Sequence, residues 1–301
     1  LREITAGVIG AGRIGRIHAD NLINMPGVRL KSVADPFLVA DDWSGRGIEP
    51  LLEPEELLGD DDIEVVLICS PTPTHAEFTE AAARAGKHIF CEKPIDLDPD
   101  RISRTLAVVD EAGVKLQVGF NRRFDPTFAR VRQAVVDGEV GDIHLVKIVA
   151  RDPSPPPAEY VRDSGGMFLD MTIHDFDMVR FLSGSEVEEI HAFGAVLVDP
   201  AIGEAGDVDT AVLSMKLANG GLAVIENSRR AVFGYDQRIE VFGSKGGMEA
   251  FNESPCQVRL RSGQGERAEN PLYFFLERYQ RSFVIELEAF IKSIRVDSEP
   301  P

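Results

Sequence analysis

Over the first 120 residues, short apolar runs alternate with stretches of helical periodicity. The runs are Ile4–Ile9, Val28–Ala34, Glu64–Cys69, Lys87–Cys91 and Val114–Val118; the helical stretches are Ile14–Asn24, Glu53–Leu58, Thr74–Ala85 and Pro99–Ala112. Two helices carry clear boundary signals. Thr74 can cap one, with Gly86 beyond its end; Asp98 can cap the next, with Pro99 at its first position and Gly113 after it. Strands apolar on both faces, joined by crossover helices, predict a doubly wound parallel sheet.

The pattern then changes. A helix over Pro126–Asp137 leads to a strand at Ile143–Arg151, a proline-rich stretch at Asp152–Pro157 and a helix at about Gly166–Leu182. Successive strands follow at Val187–Val198, Asp207–Leu217, Leu222–Arg230, Gln237–Gly243, Gly247–Phe251 and Gln257–Leu260, and a final helix at Tyr273–Ile294. Ala218-Asn-Gly-Gly221 reads as a hairpin turn, because Asn-Gly tolerates positive φ. Tight turns between neighbouring strands predict a large, open, mostly antiparallel sheet. The expected organisation is an α/β dinucleotide-binding domain over residues 1–120 and an α+β domain over residues 121–301.

Length and composition agree with two ordinary globular domains: 301 residues, 44% hydrophobic and 27% charged. A formal charge of −18 disfavours nucleic acid as a partner, since phosphate binding needs basic patches. Three cysteines without a CxxC pair fit a reducing, cytoplasmic setting with no disulfide frame and no structural zinc. No apolar run approaches the ~20 residues of a membrane span. The N-terminal apolar stretch opens directly into a glycine motif, unlike a signal peptide. The chain begins at Leu1 rather than methionine, as a trimmed sequence would.

That motif is Gly10-Ala-Gly12-Arg-Ile-Gly15, placed after a strand and opening a helix. Gly10 allows the tight turn, Gly12 a close approach to a pyrophosphate, and Gly15 close packing of helix on strand. Gly10, Ala11, Gly12, Arg13 and Ile14 then present helix N–H groups to phosphates. Asp35 ends the second strand, 20 residues past Gly15, where a carboxylate bonds a ribose 2′-hydroxyl. Arg13 could meet a phosphate, but Pro36 follows Asp35 with no basic residue immediately after, which favours NAD over NADP. Ser70, Thr72 and His75 lie where the third strand ends, on the ligand side of such a sheet; His75 is either a cofactor contact or a plain helix N-terminal residue.

Lys93 ends the fourth strand within Glu92-Lys93-Pro94, so it faces the same crevice; Pro94 restricts its backbone and could accompany a cis bond. Along the later helix, Asp170, His174 and Asp177 share one face at i, i+4 and i+7. Such a stripe is a solvated face, a general acid–base group or a metal site. The absence of further His or Cys nearby disfavours metal, and His174 with Asp170 has the composition of an oriented base.

In order along the chain, the glycine motif, Glu92-Lys93-Pro94, Val118-Gly-Phe-Asn-Arg-Arg-Phe-Asp125 and Asp170-x-x-x-His174-Asp-x-Asp177 resemble the Gfo/Idh/MocA oxidoreductases over nearly the whole length, and within them the inositol dehydrogenase branch. The resemblance implies Lys93, Asp170 and His174 as catalytic residues, NAD as cofactor with Glu92 on its nicotinamide side, and Arg123, Asp177 and Tyr235 as contacts to a small polyol. It also implies a homotetramer packed through the open C-terminal sheet. The expected reaction is oxidation of a cyclic polyol, myo-inositol first, with another inositol isomer or a sugar as alternatives. A non-catalytic NAD-binding sensor is the alternative of another class. The family ordinarily continues past the last helix, whereas this chain stops at Pro301, and Cys256–Asn270 reads as short and irregular. Part of the protein is therefore expected to be absent from this sequence, or its C-terminal packing to differ.

Overall fold

The computed structural model describes residues 2–301, the side chain of residue 163 excepted. It divides into two compact units, one running to Asn121 and including Phe283–Pro301, the other Arg122–Ser282.

In the first unit the elements are β1 (Ile4–Ile9), α1 (Arg13–Ile23), β2 (Val28–Ala34), α2 (Asp41–Ser44), β3 (Glu49–Leu51), α3 (Pro54–Leu58), β4 (Val65–Ile68), α4 (His75–Arg84), β5 (His88–Cys91), α5 (Pro99–Ala112) and β6 (Leu116–Val118). The strands form one sheet in the order β3-β2-β1-β4-β5-β6, all pairings parallel. This is the expected doubly wound sheet, with the order of strand addition reversing between β1 and β4, where ligands bind in such sheets. Two apolar clusters cover its faces, one around Val8, Val33, Leu67 and Phe90, the other around Ile9, Val66, Ile89 and Val109. Asp98 caps α5 by accepting from the Asp100 amide at 3.0 Å, and Gly113 ends that helix at φ 66°. The short α2 and β3 were not predicted.

The second unit contains α6 (Pro126–Val136), β7 (Ile143–Arg151), α7 (Ala158–Ser164), α8 (Ile173–Ser183), β8 (Val187–Ala195), α9 (Pro200–Glu204), β9 (Thr210–Leu217), β10 (Leu222–Ser228), β11 (Asp236–Gly243), β12 (Gly246–Ala250), β13 (Arg259–Ser262), β14 (Gly265–Ala268) and α10 (Phe275–Arg278). Six strands form a sheet ordered β12-β11-β7-β10-β9-β8, antiparallel except for β7 with β10. Alternation along β9 buries Ala211, Leu213, Met215 and Leu217 on one face. The other face is open: the register aligns Phe193 with Val212, and Leu145 with both Leu222 and Phe242.

Three expectations change. The strand predicted at Gln257–Leu260 does not join the large sheet; it is half of a separate hairpin, β13 with β14, exposed throughout and turning at Gly263-Gln264. The final helix is not continuous, because Tyr279 leaves helical geometry (φ −111°, ψ 15°) and divides α10 from α11 (Gln280–Val296). Residues of α11 belong with the first unit rather than the second: Leu287, Phe290 and Ile291 are buried in the cluster that also holds Phe90 and Leu67.

Candidate active site

The glycine turn of the first unit has the geometry that its sequence requires. Gly10 sits at φ 97°, and a Cβ there would lie 2.5 Å from the Ser70 amide nitrogen. A Cβ on Gly15 would lie 1.9 Å from the Gly10 carbonyl oxygen. Gly12 differs: a Cβ there would meet nothing within 4 Å, so the fold itself leaves that space open. No side chain caps α1 at Gly12, and the Asp35 carboxylate at the tip of β2 accepts from the Ala11 amide at 2.7 Å and the Phe37 amide at 2.8 Å. Open space over Gly12, an uncapped helix start and a carboxylate beside the turn fit a dinucleotide. Gly12 and the first amides of α1 would hold its pyrophosphate, and Asp35 its ribose.

At the end of β4, the Ser70 hydroxyl is 2.7 Å from that of Thr74. His75 is the first residue of α4. Its ring is buried, with Nδ1 2.7 Å from the Pro94 carbonyl oxygen and Nε2 2.7 Å from that of Ser70. The ring lies between the two carbonyls and links the β4 loop to the Glu92-Lys93-Pro94 turn. The Lys93–Pro94 peptide bond is cis. Glu92 Oε1 lies 2.8 Å from His18 Nε2, and the Glu92 carboxylate rests against Gly119, where a Cβ would come within 3.1 Å of it. Cys69 and Cys91 nearby are inert thiols: burial raises both, Cys91 to about 12.

In the second unit, the helix expected at Gly166–Leu182 begins with a π-type stretch, Met167–Thr172, before α8. Gly165 and Gly166 are both left-handed (φ 84° and 73°), and the Asp207 carboxylate accepts from the Met167 amide at 2.8 Å. Asp170 accepts from the Tyr160 hydroxyl at 2.9 Å and from Arg229 Nη2 at 3.1 Å. Arg229 also reaches Asp152 at 3.4 Å. Burial raises the Asp152 carboxyl to about 6, partly offset by Arg229.

The stripe that sequence periodicity suggested separates into distinct roles. Asp177 is buried and forms a bidentate pair with Arg123, Nε to Oδ2 at 2.8 Å and Nη2 to Oδ1 at 2.5 Å. Arg123 keeps 30% side-chain exposure, against 4% for Asp177. Tyr235 is also buried, edge-on to Tyr279 with ring centroids 6.0 Å apart, and burial raises its phenol strongly. In this structure Asp177 is held by its ion pair with Arg123, and Tyr235 by its ring contact with Tyr279.

Sequence reasoning missed the network beneath α8. Asp175, fully buried, accepts from Arg122 Nη1 at 2.6 Å and from Asn227 Nδ2 at 2.7 Å, while Asn227 Oδ1 accepts from the Thr172 hydroxyl at 2.7 Å. Burial raises the Asp175 carboxyl, and Arg122 and Asn227 oppose that shift. The network fixes the helix start on either side of His174. Its available signal was the adjacent pair Arg122-Arg123, two arginines for two acids on the same helix.

Residues 4–120 match the model of an oxidoreductase family with an NAD-binding Rossmann fold, and residues 128–249 match a GFO/IDH/MocA C-terminal domain. A myo-inositol 2-dehydrogenase of Thermotoga maritima is 50% identical over 98% of this chain and 89% of its own length. An inositol 2-dehydrogenase of Rhizobium meliloti is 48% identical over 97% of this chain and 89% of its own. The crystal structure of a probable dehydrogenase from Thermotoga maritima superposes with a TM-score of 0.95 at 49% identity, covering 99% of this chain and 90% of that one.

Proposed function

The chain belongs to the Gfo/Idh/MocA family of NAD-binding oxidoreductases, and from that premise we propose that it oxidises myo-inositol at its 2-hydroxyl to the 2-keto inositol. The observation that carries the substrate is the pair of relatives from two organisms, 50% and 48% identical over almost the whole chain, both named for inositol 2-dehydrogenation.

The bound NAD supplies hydride acceptance; the protein supplies position, a base and an electrostatic field. In this reading His174 takes the proton of the reacting hydroxyl. Lys93, as an ammonium, stabilises the alkoxide that develops, which is charge stabilisation by a fixed group. Asp170 stabilises the charged imidazole, and its own charge is balanced by Arg229. Arg123, oriented by Asp177, is the group with enough exposure to bind a ring hydroxyl. General acid–base assistance contributes ~10²–10⁴ in rate, so His174→Ala should lose turnover on that scale and retain NAD affinity.

The assembly we propose is a cytoplasmic homotetramer packed through the uncovered face of the large sheet. Phe193, Val212, Leu222 and Phe242 are exposed there, an apolar surface suited to a second copy. The test of function is NAD⁺ reduction, followed by absorbance, against a panel of myo-, scyllo- and chiro-inositol, glucose and xylose, repeated with NADP⁺. Turnover strongest with myo-inositol and NAD⁺, giving a 2-keto product, is expected. Turnover with a different polyol alone would replace the substrate, and tight NADH binding without turnover on any polyol would favour the sensor.

A further inference from the structure

Glu286 interrupts the apolar stripe of α11, one residue before Leu287 and three after Phe283. It is fully buried, and neither of its carboxylate oxygens has a hydrogen-bond partner among the described residues. Its position is not isolated, however. One ligand atom each of His18, Glu92 and Glu286 lie within 4.8 Å of one another. His18 is likewise buried, flanked edge-on by Phe90 at 5.0 Å and Phe283 at 5.7 Å. Its Nε2 is 2.8 Å from Glu92 Oε1, and its Nδ1 has no partner among the described residues, so its ring proton belongs on Nε2 where Glu92 accepts it.

An ionised Glu286 would place two carboxylates side by side beneath aromatic rings. The groups facing it are His18 from α1, Cys69 after β4, Glu92 after β5 and Gln117 of β6, whose Nε2 donates at 3.0 Å to the Glu286 backbone carbonyl. None of these is a lysine or arginine. Acceptor-only oxygens with no donor cost the full desolvation of a charge, whereas a protonated acid has a hydroxyl to give and a neighbour able to accept it.

We propose that Glu286 is a neutral carboxylic acid that donates its proton in a hydrogen bond to Glu92, and that it is a positioning residue for the Glu92 carboxylate. Glu92 then accepts from two buried donors, His18 on one helix and Glu286 on another, and the two carboxylates share one negative charge instead of carrying two. Burial, and next the charge of Glu92, push the Glu286 carboxyl well above its usual range, which agrees with this assignment. The consequence for cofactor binding rests on the reading that Glu92 faces the nicotinamide side. There the shared hydrogen bond fixes where that charge sits.

The test pairs infrared spectroscopy with binding. The wild-type protein minus Glu286→Gln difference spectrum at neutral pH in D₂O should contain the carbonyl stretch of a protonated carboxylic acid. A difference made only of carboxylate bands would overturn the proposal. So would a stoichiometric divalent metal in the purified protein that Glu286→Gln releases, since His, Glu and Glu would then be its ligands. By calorimetry, Glu286→Gln, which keeps an N–H donor, should bind NAD⁺ within about twofold of wild type, and Glu286→Leu should bind about tenfold more weakly. A protonated-acid band with unchanged NAD⁺ binding in Glu286→Leu would keep the neutral acid and overturn the role assigned to Glu92 at the cofactor.

Discussion

Replacing Asp175 by asparagine removes one charge and changes almost no volume. In the native structure Asp175 Oδ1 accepts from Arg122 and Oδ2 from Asn227, at 2.6 and 2.7 Å, and both Asp175 and Arg122 are buried. The amide can still accept from Arg122 through its oxygen. Its NH₂ then faces the Asn227 NH₂, and turning the Asn227 amide over would give up its 3.4 Å bond to the Ala150 carbonyl and oblige the Thr172 hydroxyl to accept instead of donate. The variant thus buries an uncompensated guanidinium and either sets two donors against each other or costs Asn227 its bond to Ala150. Breaking a buried pair by removing one partner costs about 3–5 kcal/mol. For a unit of this size each kcal/mol lowers Tm by about 2–4 °C, so the expected loss is about 6–20 °C. Urea and thermal unfolding followed by circular dichroism measure it. Trp43, the single tryptophan, reports the first unit separately by fluorescence. The double variant Arg122→Met/Asp175→Leu should recover at least half of the loss, since apolar replacements of a buried pair are often close to neutral. A loss below about 1 kcal/mol for Asp175→Asn, or strictly additive single and double variants, would refute the reasoning.

Two further predictions separate fold from ligand and test a buried charge. Gly12→Ala should leave Tm within about 2 °C of wild type, because its Cβ meets nothing within 4 Å, yet weaken NAD⁺ binding about tenfold or more. Gly15→Ala, whose Cβ would lie 1.9 Å from a backbone oxygen, should lower both Tm and affinity; calorimetry and thermal melts distinguish the two. Asp152 has a folded pKa of about 6, above the ordinary 3.8, so the native state keeps its proton longer than the unfolded chain does as pH rises. Its contribution to stability is complete below the unfolded value and is lost as pH rises from about 4 to about 6, by about 3 kcal/mol. The stability of Asp152→Asn relative to wild type should therefore rise across that window and stay level above it; a flat difference in urea titrations would contradict the assignment.

The first unit was legible because its signals are local. Each strand is an apolar run, each crossover helix is bounded by Gly, Pro or a capping Asp, and the acid at residue 35 follows the glycine turn at a fixed interval. The second unit was legible as a sheet but not in its details. The π-type start of the helix at Met167 and the break at Tyr279 interrupt patterns that periodicity alone continues smoothly. The hairpin of β13 and β14 resembles any exposed strand until its lack of partners in the large sheet is known. Site contacts were least legible, because they join distant positions: Arg122 to Asp175, Arg229 to Asp170, and His18 to Glu92, separated by 53, 59 and 74 residues. Arg123 and Asp177 were both singled out, but as two ligand contacts; only geometry shows that they hold each other.

The central claim is that this protein moves a hydride from the 2-carbon of myo-inositol to NAD⁺. The direct measurement is turnover of myo-inositol deuterated at that carbon, with mass analysis of the reduced nucleotide. One deuterium in each NADH formed, with Lys93→Ala and His174→Ala binding NAD⁺ yet forming almost none, is the predicted result. Reduced nucleotide without deuterium, or unimpaired turnover in both variants, would contradict the account.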